Sequence, residues 1–298
     1  MNDRKDPILY IVIPCYNEQE VLPITAPQFL AKINQLAAEG LISGDSRVMF
    51  VNDGSKDRSG EMLRGFCMQR PETVKLIDFN GNYGQHTAII AAFERAQGDV
   101  IVTLDADLQN PPEEIGKLLA KIDEGCDSVG GYRKQREDTA LRRYCSKIVN
   151  FARDKMTNIR MKDQGCMLRA YRRNVVEAIL KTNERSLFIP ALAYTFSSKP
   201  AEIEVEHAAR EAGESKYSMY KLIRLNFDLI TGFTIMPLQL FTIFGFLSSI
   251  GSLGLVVILL FRRIFLFSDG EAEGVFTLFA ILFFLISVTI VGIGLIGE

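Results

Sequence analysis

Short apolar runs rich in β-branched residues alternate with longer amphipathic stretches over the first two thirds of the chain. Residues 9–13, 48–51, 74–79 and 100–104 have the pattern of buried strands. The stretches 18–39, 58–69, 85–96 and 112–124 have helical spacing, and Pro111-Pro112 marks the start of the last. Residues 127–131 add a further strand, and 203–208 alternate like an edge strand. This rhythm predicts an α/β fold in which a mostly parallel sheet carries helices on both faces. Ligands of such sheets bind beyond the carboxyl ends of the strands. Four consecutive strand ends carry polar loops there: 14–18, 52–55, 80–84 and 105–109.

Beyond Phe233 the pattern changes. Residues 238–261 and 275–296 contain no charged side chain. Each run exceeds the roughly 20 residues that a helix needs to cross the hydrocarbon core. The connection 262–274 is short, so the two are expected to form a transmembrane hairpin. Domain bounds follow: a soluble domain over 1–214, juxtamembrane amphipathic helices over 215–236 and the hairpin over 237–298. Segment 217–234 mixes apolar residues at helical spacing with Lys221, Arg224 and Asp228, which suits a helix at a membrane surface. Lys216, Lys221 and Arg224 before the first run nearly balance Arg262 and Arg263 in the connection. The polar start, MNDRKDP, has no signal-peptide pattern, so the soluble domain is expected in the cytoplasm. The second run stops at Gly297-Glu298 without a polar flank, and a further segment is expected after it.

Composition narrows the function classes. The 298 residues carry a net charge of −2, so no basic field suggests nucleic acid. Five scattered cysteines without metal spacing are expected to be reduced thiols. Gly292, Gly294 and Gly297 fit a G-x-G-x-x-G pattern but lie inside an apolar run and follow no soluble strand. They are expected to let membrane helices approach closely rather than to bind a dinucleotide.

The sharpest chemistry lies in VTLDADLQ, residues 102–109. Alternate residues at a strand end share a face, so Asp105 and Asp107 could share one hard cation. Mg²⁺ commonly takes one or two carboxylates plus substrate phosphates. The triplet therefore points to a metal–diphosphate site.

Three segments, Pro14-Cys15-Tyr16-Asn17-Glu18, Asn52-Asp53-Gly54-Ser55 and Asp105-Ala106-Asp107-Leu108-Gln109, resemble glycosyltransferase family 2 with its GT-A fold. The hairpin, with Asn82-Tyr83-Gly84-Gln85-His86 and segments 109–115, 164–173 and 210–218, resembles the branch acting on polyprenyl phosphates. Asn52 stands where many members have Asp. The resemblance implies an inverting, metal-dependent enzyme of the bacterial inner membrane, multi-pass, with its catalytic domain in the cytoplasm. Its donor would be a UDP-sugar and its acceptor undecaprenyl phosphate. The sugar implied is 4-deoxy-4-formamido-L-arabinose, in support of lipid A modification. Glucose or mannose is the alternative, and a membrane-anchored nucleotide-sugar binder or scaffold is the alternative of another class. A homo-oligomer is left open. A processive synthase is excluded, because its Gln-x-x-Arg-Trp motif needs a Trp and the chain has none.

The resemblance also assigns residues. Pro14, Tyr16, Asn17, Glu18, Asp53 and Asp105 would bind the nucleotide, and Asp105, Asp107 and Gln109 would hold Mg²⁺ or Mn²⁺. Asp163 matches the usual catalytic base, with Asp107 the other catalytic acid. A phosphomonoester is largely a dianion at neutral pH, its second pKa being near ~6, so Asp163 is expected to position rather than deprotonate. Arg133, Arg142 and Arg210 match acceptor-phosphate positions, and Lys216 lies in the adjacent Gly-Glu-Ser-Lys turn; guanidinium forks suit phosphate oxygens. Of the two histidines, His207 is expected to be structural and His86 to face the donor.

Overall fold

A computed structural model describes residues 6–133, 161–163, 165–182, 188–206, 236–265 and 271–297. The chain divides into two compact units, one holding a seven-stranded sheet and the other two long helices.

In the first unit β1 (Leu9–Cys15), α1 (Leu22–Ala38), β2 (Arg47–Asn52), α2 (Ser59–Gln69), β3 (Val74–Asp78), α3 (Gln85–Arg95) and β4 (Val100–Thr103) follow the expected alternation. A short 3₁₀ turn over Pro112–Glu114 leads into α4 (Ile115–Asp123), and β5 (Ser128–Arg133) comes next. Then β6 (Arg169–Arg172), α5 (Arg173–Lys181), α6 (Ile189–Phe196) and β7 (Pro200–Val205) complete the unit. The strand order is β3-β2-β1-β4-β6-β5-β7. Pairing is parallel from β3 through β4 and again between β5 and β7, while β6 runs antiparallel to both its neighbours. The rhythm did not reveal β6: RAYR is four residues with an Arg at each end.

Strands β1, β2 and β4 are buried along almost their whole length, as expected where helices cover both faces. Ile11, Ile13, Val48, Phe50 and Val102 form the core with Phe29 and Leu30 of α1 and Leu118 of α4. In α4 the buried positions Ile115, Leu118, Leu119 and Ile122 follow helical spacing. The edge strand expected at 203–208 is β7, which begins three residues earlier and ends at Val205.

The second unit contains α7 (Met236–Phe265) and α8 (Glu271–Gly297). Spans Leu238–Arg262 and Gly274–Gly297 are long and apolar enough to cross a membrane, and only 6% and 17% of their most apolar windows are buried. That exposure is the opposite of a soluble core helix. Gly294 and Gly297 seat the pair as expected, whereas a Cβ on Gly292 would meet open space. A Cβ on Gly294 would lie 2.1 Å from Thr242 Oγ1, and one on Gly297 2.5 Å from Leu238 Cδ2. Gly245 likewise abuts Ile290 and Val291, so the two helices run antiparallel at close range.

Candidate active site

The site is built from loops that follow the strands. After β1, Asn17 takes a left-handed backbone, φ 55°, which Asn tolerates better than most residues. Its N–H donates to Ser55 Oγ (3.0 Å) and its Oδ1 accepts from Lys56 N–H (2.8 Å). The loops after β1 and β2 are thereby tied together. Pro14, Tyr16, Asn17 and Glu18 are all half-buried there. Gly54 has φ 64°, and a Cβ on it would fall 2.2 Å from the Gly81 carbonyl carbon, so only glycine lets the loops after β2 and β3 meet.

Asp53 is 3% exposed, and its carboxylate accepts from Tyr83 N–H (2.7 Å), Gly84 N–H (2.9 Å) and Asn82 Nδ2 (3.0 Å). The side chain expected to meet a nucleoside thus braces the 82–84 loop. Asn52 donates to Asp78 Oδ1 (2.6 Å) and accepts from Ser55 N–H (3.1 Å). An amide can do both, whereas a carboxylate facing Asp78 could only repel it.

Beyond β4 the strand ends at Thr103, before both acids. Strand alternation therefore does not align Asp105 with Asp107, contrary to the sequence argument. The chain instead turns at Leu108, whose φ is 55° and whose side chain is buried. A bulky residue in that region is strained, and its burial holds it there. Gln109 N–H donates to Asp107 Oδ1 (3.2 Å), while Gln85 Nε2, from the first turn of α3, donates to Asp105 Oδ1 (2.8 Å). Gln85 was quoted within a sequence motif but given no role.

Asp163, 7% exposed, forms a two-bond ion pair with Arg133: Nε to Oδ2 at 2.6 Å and Nη2 to Oδ1 at 3.0 Å. The Asp163 hydrogen bond, ahead of its charge, raises the Arg133 pKa, and Asp105 adds to the effect through space. Cys166, three residues after Asp163, donates its Sγ–H to Asn110 Oδ1 (3.5 Å), three residues after Asp107, so the chain segments carrying the two acids meet. The Arg133–Asp163 pairing needs the end of β5 and Asp163 to meet, which the pairing of β5 with β6 brings about. Arg142, Arg210, Lys216, His207 and segment 217–234 lie outside the described residues.

His86 lies beside Gln85 with its ring edge-on to Phe188, centroids 5.3 Å apart. Burial lowers its pKa to about 4, so the ring is neutral at physiological pH. Cys15, Cys67, Cys126 and Cys166 are free thiols, and burial raises the Cys166 pKa to about 11. A cavity of about 730 Å³ opens between the ends of β2 and β3 and α2, lined by Ser55, Lys56, Arg58, Arg64, Asp78 and others. None of Asp105, Asp107 or Asp163 lines it, so converging polar groups rather than cavity size define the site.

A mostly parallel sheet with carboxylates gathered in its strand-end loops is the architecture of the GT-A glycosyltransferases. The chain belongs to glycosyltransferase family 2: the model for "Glycosyl transferase family 2" matches residues 10–180. Undecaprenyl-phosphate 4-deoxy-4-formamido-L-arabinose transferase of Photorhabdus laumondii is 47% identical over 97% of this chain and 87% of its own length. The proteins of the same name from Serratia proteamaculans and Shewanella sediminis are 46% and 48% identical, over 99% and 97% of this chain and 89% and 85% of theirs. Among solved structures, glucosyl-3-phosphoglycerate synthase from Mycobacterium tuberculosis with phosphoglyceric acid superposes with TM-score 0.52 at 14% identity, covering 76% of this chain and 79% of that one. The complex of the same enzyme with Mn²⁺, UDP-glucose and phosphoglyceric acid gives 0.53 at 13%, covering 76% and 78%. At such identity the likeness concerns the fold.

Proposed function

We propose that this protein transfers 4-deoxy-4-formamido-L-arabinose from a UDP-sugar to undecaprenyl phosphate at the cytoplasmic face of the bacterial inner membrane, in support of lipid A modification. The observation carrying the reading is that the segment of Asp105 and Asp107 meets the segment of Asp163, which is ion-paired with Arg133, through the Cys166–Asn110 contact, in a chain whose relatives bear that transferase name.

The donor set suits a divalent cation: two carboxylates in one loop, with Gln109 beside them, offer the hard oxygens that Mg²⁺ or Mn²⁺ prefers. When bound, such an ion offsets charge on the departing diphosphate. Solved complexes of the mycobacterial synthase contain Mn²⁺ or Mg²⁺ with UDP, which supports this choice. Tyr16 offers a ring face to the base, and Asp53 holds the 82–84 loop that flanks it. An acceptor phosphate oxygen attacks the anomeric carbon, the bond to the diphosphate breaks, and UDP leaves with that electron pair. The attacking oxygen carries no proton, so Asp163 orients Arg133, which with Arg142, Arg210 and Lys216 holds the phosphate. The hairpin anchors the chain in the bilayer where the prenyl tail resides.

The test uses full-length protein in detergent with a short-chain polyprenyl phosphate and divalent metal. UDP release dependent on the lipid, with the formamido-arabinose donor preferred over UDP-glucose, is expected. Preference for UDP-glucose or GDP-mannose would make it a glucose or mannose synthase, and binding without release a nucleotide-sugar binder.

A further inference from the structure

The loop carrying Asp163 is held from behind by a second, deeply buried guanidinium. Arg169, in β6, is 5% exposed. Its Nη2 donates to the Asp163 carbonyl (2.7 Å) and its Nε to the Cys166 carbonyl (2.9 Å), while Nη1 lies 3.8 Å from Met161 Sδ. One rigid fork thus grips the carbonyls of Asp163 and Cys166 together. Gly165 N–H also donates to Asp163 Oδ1 (3.0 Å).

The seat for this fork is made by the neighbouring strand. Gly130 of β5 stands opposite Arg169 in the antiparallel register, and a Cβ there would lie 2.8 Å from Nη1. On the other side Arg169 faces Thr103 of β4, whose hydroxyl donates to the Met167 carbonyl (2.7 Å). A buried cation that spends its donors on two loop carbonyls is a costly choice if the only need is stability.

We propose that Arg169, seated in the notch left by Gly130, is a positioning residue that sets the Asp163 backbone so that its carboxylate meets Arg133 at the acceptor side of the site. The inference rests on the transferase reading above. Arg169 touches no reacting atom; it acts through Asp163. Lysine cannot replace it, because a point charge cannot bridge two carbonyls in one plane.

The experiment uses the full chain in detergent and places Arg169→Lys in the wild-type and Asp163→Asn backgrounds. The expected result is a several-fold rise in acceptor KM with unchanged donor KM in the first background, and less than about twofold in the second, since residues acting through one another are not additive. Gly130→Ala, which crowds the fork, should give a milder copy of the same pattern if the Lys variant does not fold. Amide exchange at Gly165 should quicken in either variant, a readout that needs no turnover. Equal rises in both backgrounds, or unchanged Gly165 protection, would overturn the proposal. Should the wild type transfer nothing to any polyprenyl phosphate, the transferase reading fails, and Gly165 exchange alone decides whether Arg169 sets the loop.

Discussion

The hydrogen bonds described for the candidate-site carboxylates differ between the two halves of the sheet, although Asp78 at the end of β3 is itself ion-paired with Arg64. In the parallel half, the hydrogen bonds described for Asp53, Asp105 and Asp107 come from backbone N–H groups and amide side chains. In the mixed half, Asp163 is clasped by the Arg133 guanidinium and its carbonyl by Arg169. A neutral donor fixes a carboxylate without cancelling its charge. A guanidinium fixes it and offsets the charge as well. Under the proposed function, the first set of carboxylates would serve a donor diphosphate bound through a metal, and the second would hold arginine for an acceptor phosphate.

The largest effect should follow from removing charge in the parallel half. Asp105→Ala and Asp107→Ala should each lower transfer by on the order of 10²-fold or more, because stabilisation of the leaving diphosphate is worth several kcal/mol. Calorimetry should show weaker UDP binding only when divalent metal is present. Unchanged metal-dependent affinity in both variants would erase the distinction between the two halves.

Arg133→Ala tests the other half. It removes a charge-assisted contact worth roughly 1.5–3 kcal/mol, so acceptor KM should rise about tenfold to a hundredfold while donor KM stays put. It also leaves Asp163 buried without its ion-pair partner, so the melting temperature should fall as well. A collapse of donor affinity with an unmoved acceptor KM would assign Arg133 to the donor.

Asp163→Asn should do less. If the acceptor arrives as a dianion, the variant keeps activity within about tenfold of wild type, rising with pH only through the acceptor's ionisation near ~6. A general base would cost on the order of 10²–10⁴. A pH–rate profile of both forms separates the two, with acceptor KM recorded alongside.

The same contrast explains what the sequence made legible. Residues 9–13, 48–51 and 100–104 announce themselves because parallel strands buried on both faces must be apolar throughout, and the loops after them fall in order. The hairpin was equally plain, since only lipid tolerates such exposure of Phe and Leu. In contrast, β6 reads as a charged loop because Arg169 is buried for its hydrogen bonds rather than its side-chain hydrophobicity. Asp163 could be named as a candidate, but its partner lies 30 residues away in sequence and meets it only through strand pairing. Strand alternation is also the wrong reason for pairing Asp105 with Asp107, because β4 ends at Thr103, before either acid, although the apolar run continues to Leu104.

The smallest expected effect sharpens the neutral character of the parallel half. Among the described residues, His86 Nδ1 is a buried polar atom without a hydrogen-bond partner, and burial lowers the ring's pKa from 6.5 to about 4. In the unfolded chain the ring titrates near 6.5, so between pH 6.5 and 4 the unfolded state binds more protons. Stability is therefore intact above about 6.5 and is lost as pH falls toward 4, by on the order of 3 kcal/mol at most, and less for a ring partly open to solvent. His86→Gln removes this titration while leaving every other group to titrate as before. The difference in melting temperature between variant and wild type should accordingly move in the variant's favour by a few degrees between pH 7.5 and pH 5. A constant difference across that range would mean that the folded ring takes up its proton as readily as the unfolded one. In that case solvent would reach the ring, and packing against Phe188 would not desolvate it.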